Sequence, residues 1–393
     1  MATNQQLLAV VIAILAAAVV SFALTPLVKR FAVRFGFVDI PKDGRRMHNH
    51  PIPTIGGLAI YAAFVLVILA MSNISRQMLG ILCGGTIILI MGVLDDKYDL
   101  NARLKIVVQL AAALIPVLQG TVISYISNPL PTGEPYIPLG VLSIPITVIW
   151  IVAITNAVNF IDGLDGLSVG VCSISCLSMS VIALSLGQGA EAVILGALLG
   201  ACLGFLPYNL NPAKIFMGDT GATFLGFILA CMSVSGLFKL YTMISFAIPI
   251  LVLGVPIFDI TFATLRRIWH HVSPMHSDRS HIHHRLIDVG FNQRQSVAIL
   301  YVVASLLGVF AVMLSTSGSG KALMVLAAAV AVGIIALVLL SQKTPPESEQ
   351  DPGKDSDEPD ADKEPEEPDQ SSKLSSTAAS GQILSGSPSL ASR

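Results

Sequence analysis

The chain has 393 residues, 53% of them hydrophobic and 12% charged, with a mean hydropathy of +0.75. Soluble domains carry about 25% charged residues, so the composition excludes an ordinary soluble protein and fits an integral membrane one. The formal net charge of −2 hides a segregation: the acidic residues crowd from Glu347 onward, leaving a membrane body of about +5 that suits anionic lipid and anionic substrate, with nothing that suggests nucleic acid.

Apolar runs long enough to cross a bilayer (about 17–25 residues) fall near 5–25, 55–72, 77–94, 104–119, 139–157, 166–186, 190–207, 221–237, 242–265, 297–315 and 322–341. They predict an all-α polytopic membrane protein of about eleven transmembrane helices, N-terminus outside and C-terminus cytoplasmic. The membrane domain is expected over 1–341 and a disordered acidic cytoplasmic tail over 342–393. Lys29 and Arg30 follow the first run and no basic region precedes it, which argues for a retained span rather than a cleaved signal. With that orientation fifteen Lys and Arg fall on inner segments and only Arg76, Lys239 and Lys321 on outer ones, a strong positive-inside bias. All eight histidines fall inside as well. Cys83, Cys172, Cys176, Cys202 and Cys231 all sit within apolar runs and read as buried free thiols.

Polar residues gather where spans end. Ahead of the second run, Arg45, Arg46, His48 and His50 lead into Pro53, Thr54, Gly56 and Gly57, a segment able to cover a substrate or simply to anchor the chain. The third run closes on Asp95, Asp96 and Asp99. Asp95 and Asp99 are spaced to share a helix face, with Asp96 about 100° away. Two adjacent carboxylates there repel unless a cation or metal-bound phosphate offsets them. The fourth run opens with Arg103 and Lys105, and the segment 120–138 reads as a short hairpin or re-entrant turn.

The densest stretch links the fifth and sixth runs. Asn156, Asn159 and Asp162 recur at three-residue spacing, followed by Gly163, Asp165 and Gly166. Ionised Asp costs roughly 2.5–3.5 kcal/mol at a bilayer centre, so this cluster belongs at a wet boundary, where oxygen ligands and amides suit a hydrated divalent cation and a polyphosphate. Asn209, Phe216, Gly218, Asp219, Thr220 and Gly221 then precede another span. Asp219 sits at an expected helix start, where free amides and one carboxylate make a place for metal-bound phosphate. Asp259 lies deeper in its run, either a structural partner of a neighbouring helix or a site residue reaching inward. The longest inner loop, 266–294, holds His281, His283, His284 and Arg285. No Cys or carboxylate with ligand spacing accompanies these imidazoles, so they read as phosphate donors or proton-transfer groups.

In this order and spacing, Asp95-Asp96-x-x-Asp99, Asn156-x-x-Asn159-x-x-Asp162-Gly-x-Asp165-Gly, Phe216-x-Gly-Asp219 and His281-x-His283-His284 resemble the polyprenyl-phosphate N-acetylhexosamine-1-phosphate transferases, over about residues 5–341. The resemblance implies a UDP-N-acetylhexosamine and undecaprenyl phosphate as substrates, UMP as product and Mg²⁺, with Mn²⁺ as an alternative, as cofactor. By motif match Asp219 holds the metal, and Asp95 and Asp96 handle the lipid phosphate. Asn156, Asn159, Asp162 and Asp165 line the nucleotide-sugar site, with Phe216 and Asn209 near the uridine. His281, His283, His284 and Arg285 hold the diphosphate or sugar, with Lys105 as a further substrate contact and Asp162 and the histidines in catalytic roles. The histidine segment is similar to the branch that uses UDP-GlcNAc for teichoic acid and related envelope glycans, at the bacterial plasma membrane. Thr54 in its Pro-Thr-x-Gly-Gly context resembles the branch using UDP-MurNAc-pentapeptide. A homodimer is compatible with either branch. Attack by the lipid phosphate is expected to be direct, with a two-step route through an aspartyl-phosphate on Asp95 as the alternative. The rival from another class is a secondary transporter, but the acidic residues end spans on one side and no inverted repeat is visible.

Overall fold

The computed structural model describes residues 3–40, 51–72, 74–128, 136–237, 247–269 and 281–316. Helix α1 (Asn4–Phe35) starts at a capping box between Thr3 and Gln6 and stops at Gly36, whose φ of 74° is left-handed. A two-residue strand β1 (Val38–Asp39) pairs antiparallel with β2 (Ile52–Pro53), and α2 (Gly57–Met71) follows. Helix α3 (Arg76–Tyr98) is capped by Ser75 and α4 (Ala102–Leu118) by Asn101, through side-chain oxygens that accept backbone N–H groups. The expected hairpin is present as β3 (Tyr125–Ser127) against β4 (Tyr136–Pro138).

Next come α5 (Ser143–Phe160), α6 (Leu167–Ser185), α7 (Gly189–Asn209) and α8 (Gly218–Met232). Then follow α9 (Ala247–Val252), α10 (Gly254–Trp269), α11 (Ile282–Asp288) and α12 (Gln293–Thr316). The protein is a mostly helical, polytopic membrane protein, with the two short ribbons as its only sheet among the described residues. Among the described residues seven helices (α1, α3, α5 to α8 and α12) are long and apolar enough to cross a bilayer, and the shorter α2 is apolar too. The last run, 322–341, the domain boundary beside it and the acidic tail lie outside the described residues.

Helix α8 is the centre. Its span is 89% buried, against 22% for α1, and it packs on α2, α3, α5 and α6. Helix α1 leans on α7, where a methyl at Gly200 or Gly204 would strike the carbonyls of Ile14 and Ala18. Small residues permit this approach, which dispersion rewards where lipid offers no hydrophobic gain. The five cysteines are free, and all but Cys83 are buried.

The run at 242–265, expected to be one span, contains two helices that break at Leu253. Pro256 has no N–H to donate to the Val252 carbonyl. Ser175 of α6 donates its hydroxyl to that carbonyl instead, at 2.8 Å, so the break costs no buried acceptor.

Candidate active site

The ends of α3, α5 and α7 and the start of α8 meet around one cavity of about 680 Å³. Of the residues chosen from sequence, Asp96, Asp162, Asp165, Asn209, Phe216, Asp219 and His284 line it. Val38, Asp39, Ile52 and Thr54 close another side. That side is held by main-chain bonds: Phe216 N–H donates to the Pro53 carbonyl (2.8 Å), Gly56 N–H to Phe216 (2.9 Å) and Gly57 N–H to Met217 (3.0 Å). Ile55, fully buried between them, takes φ +60°, a rare state for a β-branched residue that the surrounding bonds must enforce. Thr54 thus comes from the covering segment singled out in the sequence; His48 and His50 lie outside the described residues.

The paired aspartates of α3 do not share one environment. Asp96 reaches the start of α8, where its Oδ1 accepts Asp219 N–H (2.9 Å) and its Oδ2 accepts Thr220 N–H (3.1 Å) and the Thr220 hydroxyl (2.6 Å). Helix α8 has no side-chain cap of its own, so Asp96 caps it from another helix, opposite the positive end of its dipole. Asp95 points elsewhere: it forms an ion pair with Lys105 of α4 and accepts Leu100 N–H at 2.9 Å. Repulsion between the two is therefore offset by a helix terminus and an ammonium. Asp99 is the left-handed residue that ends α3 (φ 50°), so it does not continue the face of Asp95.

Lys105 also lies 3.4 Å from Asp219, whose other oxygen accepts the Asn159 amide at 2.9 Å. Asn156 sits one turn earlier on α5. It pairs reciprocally with Gln109 of α4, at 2.6 and 3.3 Å. Neither Asn156, Asn159, Lys105 nor Asp95 is on the cavity wall; Asn159 and Lys105 hold Asp219, which is, while Asp95 holds Lys105 and Asn156 is tied to Gln109. Asn209 spends both ends of its amide internally, accepting Gly166 N–H and donating to the Ile215 carbonyl, each at 3.1 Å. Asp165 likewise accepts from Asn211 and the Ala213 N–H, both at 3.0 Å. These two residues clamp the loop before α8 to the loop before α6.

Asp162 is different. It lines the cavity and its carboxylate has no hydrogen-bond partner among the described residues. Burial raises its pKa well above the usual carboxylate value, and the neighbouring charges of Asp219, Asp96 and Asp165 raise it further.

On the opposite wall α11 carries the histidines. His284 reaches the cavity, whereas His283 is buried against Gly163, where an added methyl would collide with the imidazole. Burial, then the charge of His284, pushes the His283 pKa down to about 3, so it stays neutral. The His281 imidazole stacks on that of His283 with centroids 5.8 Å apart, and His283 meets His284 at 4.3 Å with the rings tilted by 43°. Sequence spacing offered the histidines no carboxylate, but Asp259 of α10, 22 residues upstream, accepts at His281 Nδ1 over 2.7 Å. Arg285 is exposed, off the cavity wall, with its guanidinium over the Phe262 ring at 4.7 Å. Sequence reasoning missed Gln109, Asn211 and Gln293. Gln109 had a visible signal, a buried amide in the middle of an apolar helix, while Asn211 joins Asp165 to Gln293 through contacts that only folding creates.

The donors around the cavity suit a hard divalent cation. They are carboxylate oxygens, Asp162 is unpartnered, and Mg²⁺ needs only one or two carboxylates because waters and substrate phosphates complete its shell. Among the described residues no group of three or more His, Cys, Asp or Glu forms a closed protein cage.

Membrane-length helices ending on an acidic cavity define a polytopic membrane protein with a polar site at the edge of its spans. Residues 78–237 match glycosyl transferase family 4. The chain is 41% identical over 315 residues (80% of this chain, 87% of the relative) to "Probable undecaprenyl-phosphate N-acetylglucosaminyl 1-phosphate transferase" of Bacillus subtilis (strain 168). It is 32% identical to "Decaprenyl-phosphate N-acetylglucosaminephosphotransferase" of Mycolicibacterium smegmatis, over 86% and 90% of the two chains. It is 29% identical to "Undecaprenyl-phosphate alpha-N-acetylglucosaminyl 1-phosphate transferase" of Escherichia coli (strain K12), over 71% and 77%. The chain belongs to this transferase family, as its motifs imply.

Proposed function

We propose that this protein transfers GlcNAc-1-phosphate from UDP-GlcNAc to undecaprenyl phosphate, releasing UMP, as the first membrane step of an envelope glycan. One observation carries this reading: separate motifs at the ends of different helices converge on one acidic cavity, in a chain whose relatives bear that activity in their names. Its volume of about 680 Å³ falls in the range of small-molecule sites.

In the reaction an oxygen of the lipid phosphate attacks the sugar-bearing phosphorus, the bond to the bridging oxygen breaks, and UMP leaves with that oxygen. Anions must be brought together, so positioning and charge compensation supply most of the rate. Lys105, a quarter exposed, bridges Asp95 and Asp219, so its ammonium is fixed where it can orient the acceptor phosphate. Asp96 serves by holding the start of α8, and with it Asp219, in place. His284 donates to the diphosphate from the opposite wall, and Phe216 offers its ring to the base. Asp219 and Asp162 would hold Mg²⁺, with Mn²⁺ as a substitute; when bound, the ion offsets the charge of the phosphates.

The same reading takes eleven crossings with the N-terminus outside and the C-terminus in the cytoplasm. The bias of fifteen basic residues to three supports it, and so does the cavity's place at the end of α1 that carries Lys29, Arg30 and Arg34. The site then opens to cytoplasmic nucleotide sugar beside the inner leaflet. Purified protein should release UMP from UDP-GlcNAc only when polyprenyl phosphate and Mg²⁺ are both present. Turnover of UDP-MurNAc-pentapeptide instead would move the donor assignment, and transport in proteoliposomes without UMP release would replace the reading altogether.

A further inference from the structure

Helix α11 carries His283 and His284 and is preceded by His281, yet its first residues have no side-chain cap from their own segment. The carboxylate that satisfies them comes from α10. Asp259 is 2% exposed, its Oδ1 accepts Ile282 N–H at 2.8 Å, and its Oδ2 sits 2.7 Å from His281 Nδ1. A carboxylate can only accept, so Nδ1 must carry the proton, and Nε2 becomes the ring's open nitrogen. The His281 ring is itself confined, stacked on Phe160 at 5.6 Å and on His283 at 5.8 Å. Nε2 has no hydrogen-bond partner among the described residues, and the side chain is 12% exposed.

We propose that Asp259 is a positioning residue of the transferase. One buried carboxylate sets the tautomer of His281 and anchors the first turn of α11, and through that turn it aims His284 into the cavity. This rests on the transferase reading above. Two hydrogen bonds from one group to consecutive residues make the arrangement rigid: His281 cannot rotate without breaking one bond, nor α11 shift without breaking the other. Removing such a carboxylate typically costs 10–100-fold where the imidazole it orients binds a metal, a guide to the size expected here.

The test uses the full chain in detergent, with UMP release as the assay and hydrogen–deuterium exchange as a second readout. Asp259→Asn keeps the shape but can present its amide N–H to Nδ1, favouring the wrong tautomer. It should lower kcat about 10–100-fold with KM for UDP-GlcNAc within about twofold, the pattern of a lost transition-state interaction. Asp259→Glu, which restores the charge, should recover part of kcat. Asp259→Asn combined with His281→Ala should lose less than the product of the two single losses, because both remove the His281 bond and only the Ile282 bond remains to be weakened. The Ile282 amide should exchange faster in Asp259→Asn than in wild type or Asp259→Glu. Unchanged kcat in the folded Asp259→Asn protein would overturn the proposal, as would multiplying effects in the double variant. If wild type releases no UMP, the transferase reading fails by itself; unaltered Ile282 exchange in Asp259→Asn refutes the positioning role whatever the activity.

Discussion

Replacing Asp96 by alanine removes the acceptor for three donors at once, the N–H groups of Asp219 and Thr220 and the Thr220 hydroxyl. Each buried donor left unpaired costs about 1–3 kcal/mol. Because Asp96 lines the cavity, water can enter and recover part of that loss, so a net cost of about 2–5 kcal/mol follows. Thr220→Val deletes only the hydroxyl bond and should cost about 1 kcal/mol. Asp96→Asn keeps one acceptor oxygen but turns an amide N–H toward a donor, so it should fall between the two. Thermal unfolding of the detergent-solubilised protein, followed by intrinsic fluorescence, measures the ranking: Asp96→Ala lowest, then Asp96→Asn, then Thr220→Val. UMP release should fall in the same order, because Asp219 moves with the helix start that Asp96 holds. Asp96→Asn with a wild-type midpoint but no activity would refute this reasoning, since Asp96 would then act on the substrate and not through α8.

Asp162 gives the pH prediction. Its folded pKa lies well above the ordinary 3.8, so its contribution to stability is complete below about 3.8 and is lost as pH rises through the raised value. In metal-free buffer the unfolding midpoint should therefore fall toward alkaline pH, and Asp162→Asn should flatten that fall. Mg²⁺ should stabilise the wild type more at pH 8 than at pH 6, and Asp162→Asn should lose most of this difference along with activity. Gly163→Ala pushes a methyl into the His283 ring. It should destabilise by about 1–3 kcal/mol and cut UMP release, whereas Gly36→Ala meets no neighbour but strains a left-handed φ, so it should destabilise by about 1–2 kcal/mol while UMP release by the folded protein is unchanged.

How much of this was legible in the chain depends on the range of the interaction. Helix positions were readable because apolar length and local capping are properties of adjacent residues: the runs at 77–94 and 190–207 lie within α3 and α7. The start of α8 at Gly218 and Asp219 was readable for the same reason. Spacing also brought the right groups to one cavity wall, Asp162 and Asp219 among them. What spacing could not show was the partner of each group. Asp96 meets residues 123 and 124 positions away, and Asn156 meets Gln109 across 47. Such pairs are made only when helices pack, and no periodicity encodes them. Asp259 was conspicuous as a carboxylate deep in an apolar run, yet its attachment to His281 required the break at Leu253 and the return of the chain in α11. The break itself was written in Pro256, but hydropathy alone passed over it.

The seam between residues 53–57 and 216–217 has a consequence for how such a scaffold diversifies. Its bonds join peptide groups, so they do not use the side chains of Thr54 and Phe216, although Gly56 and Gly57 leave no room for a β-carbon. Thr54 and Phe216 can then be exchanged for larger, smaller or differently polar neighbours while the wall keeps its contour. Selectivity for one nucleotide sugar over another is thereby uncoupled from the integrity of the fold, and new donors can be explored by substitution at two positions without rebuilding the bundle.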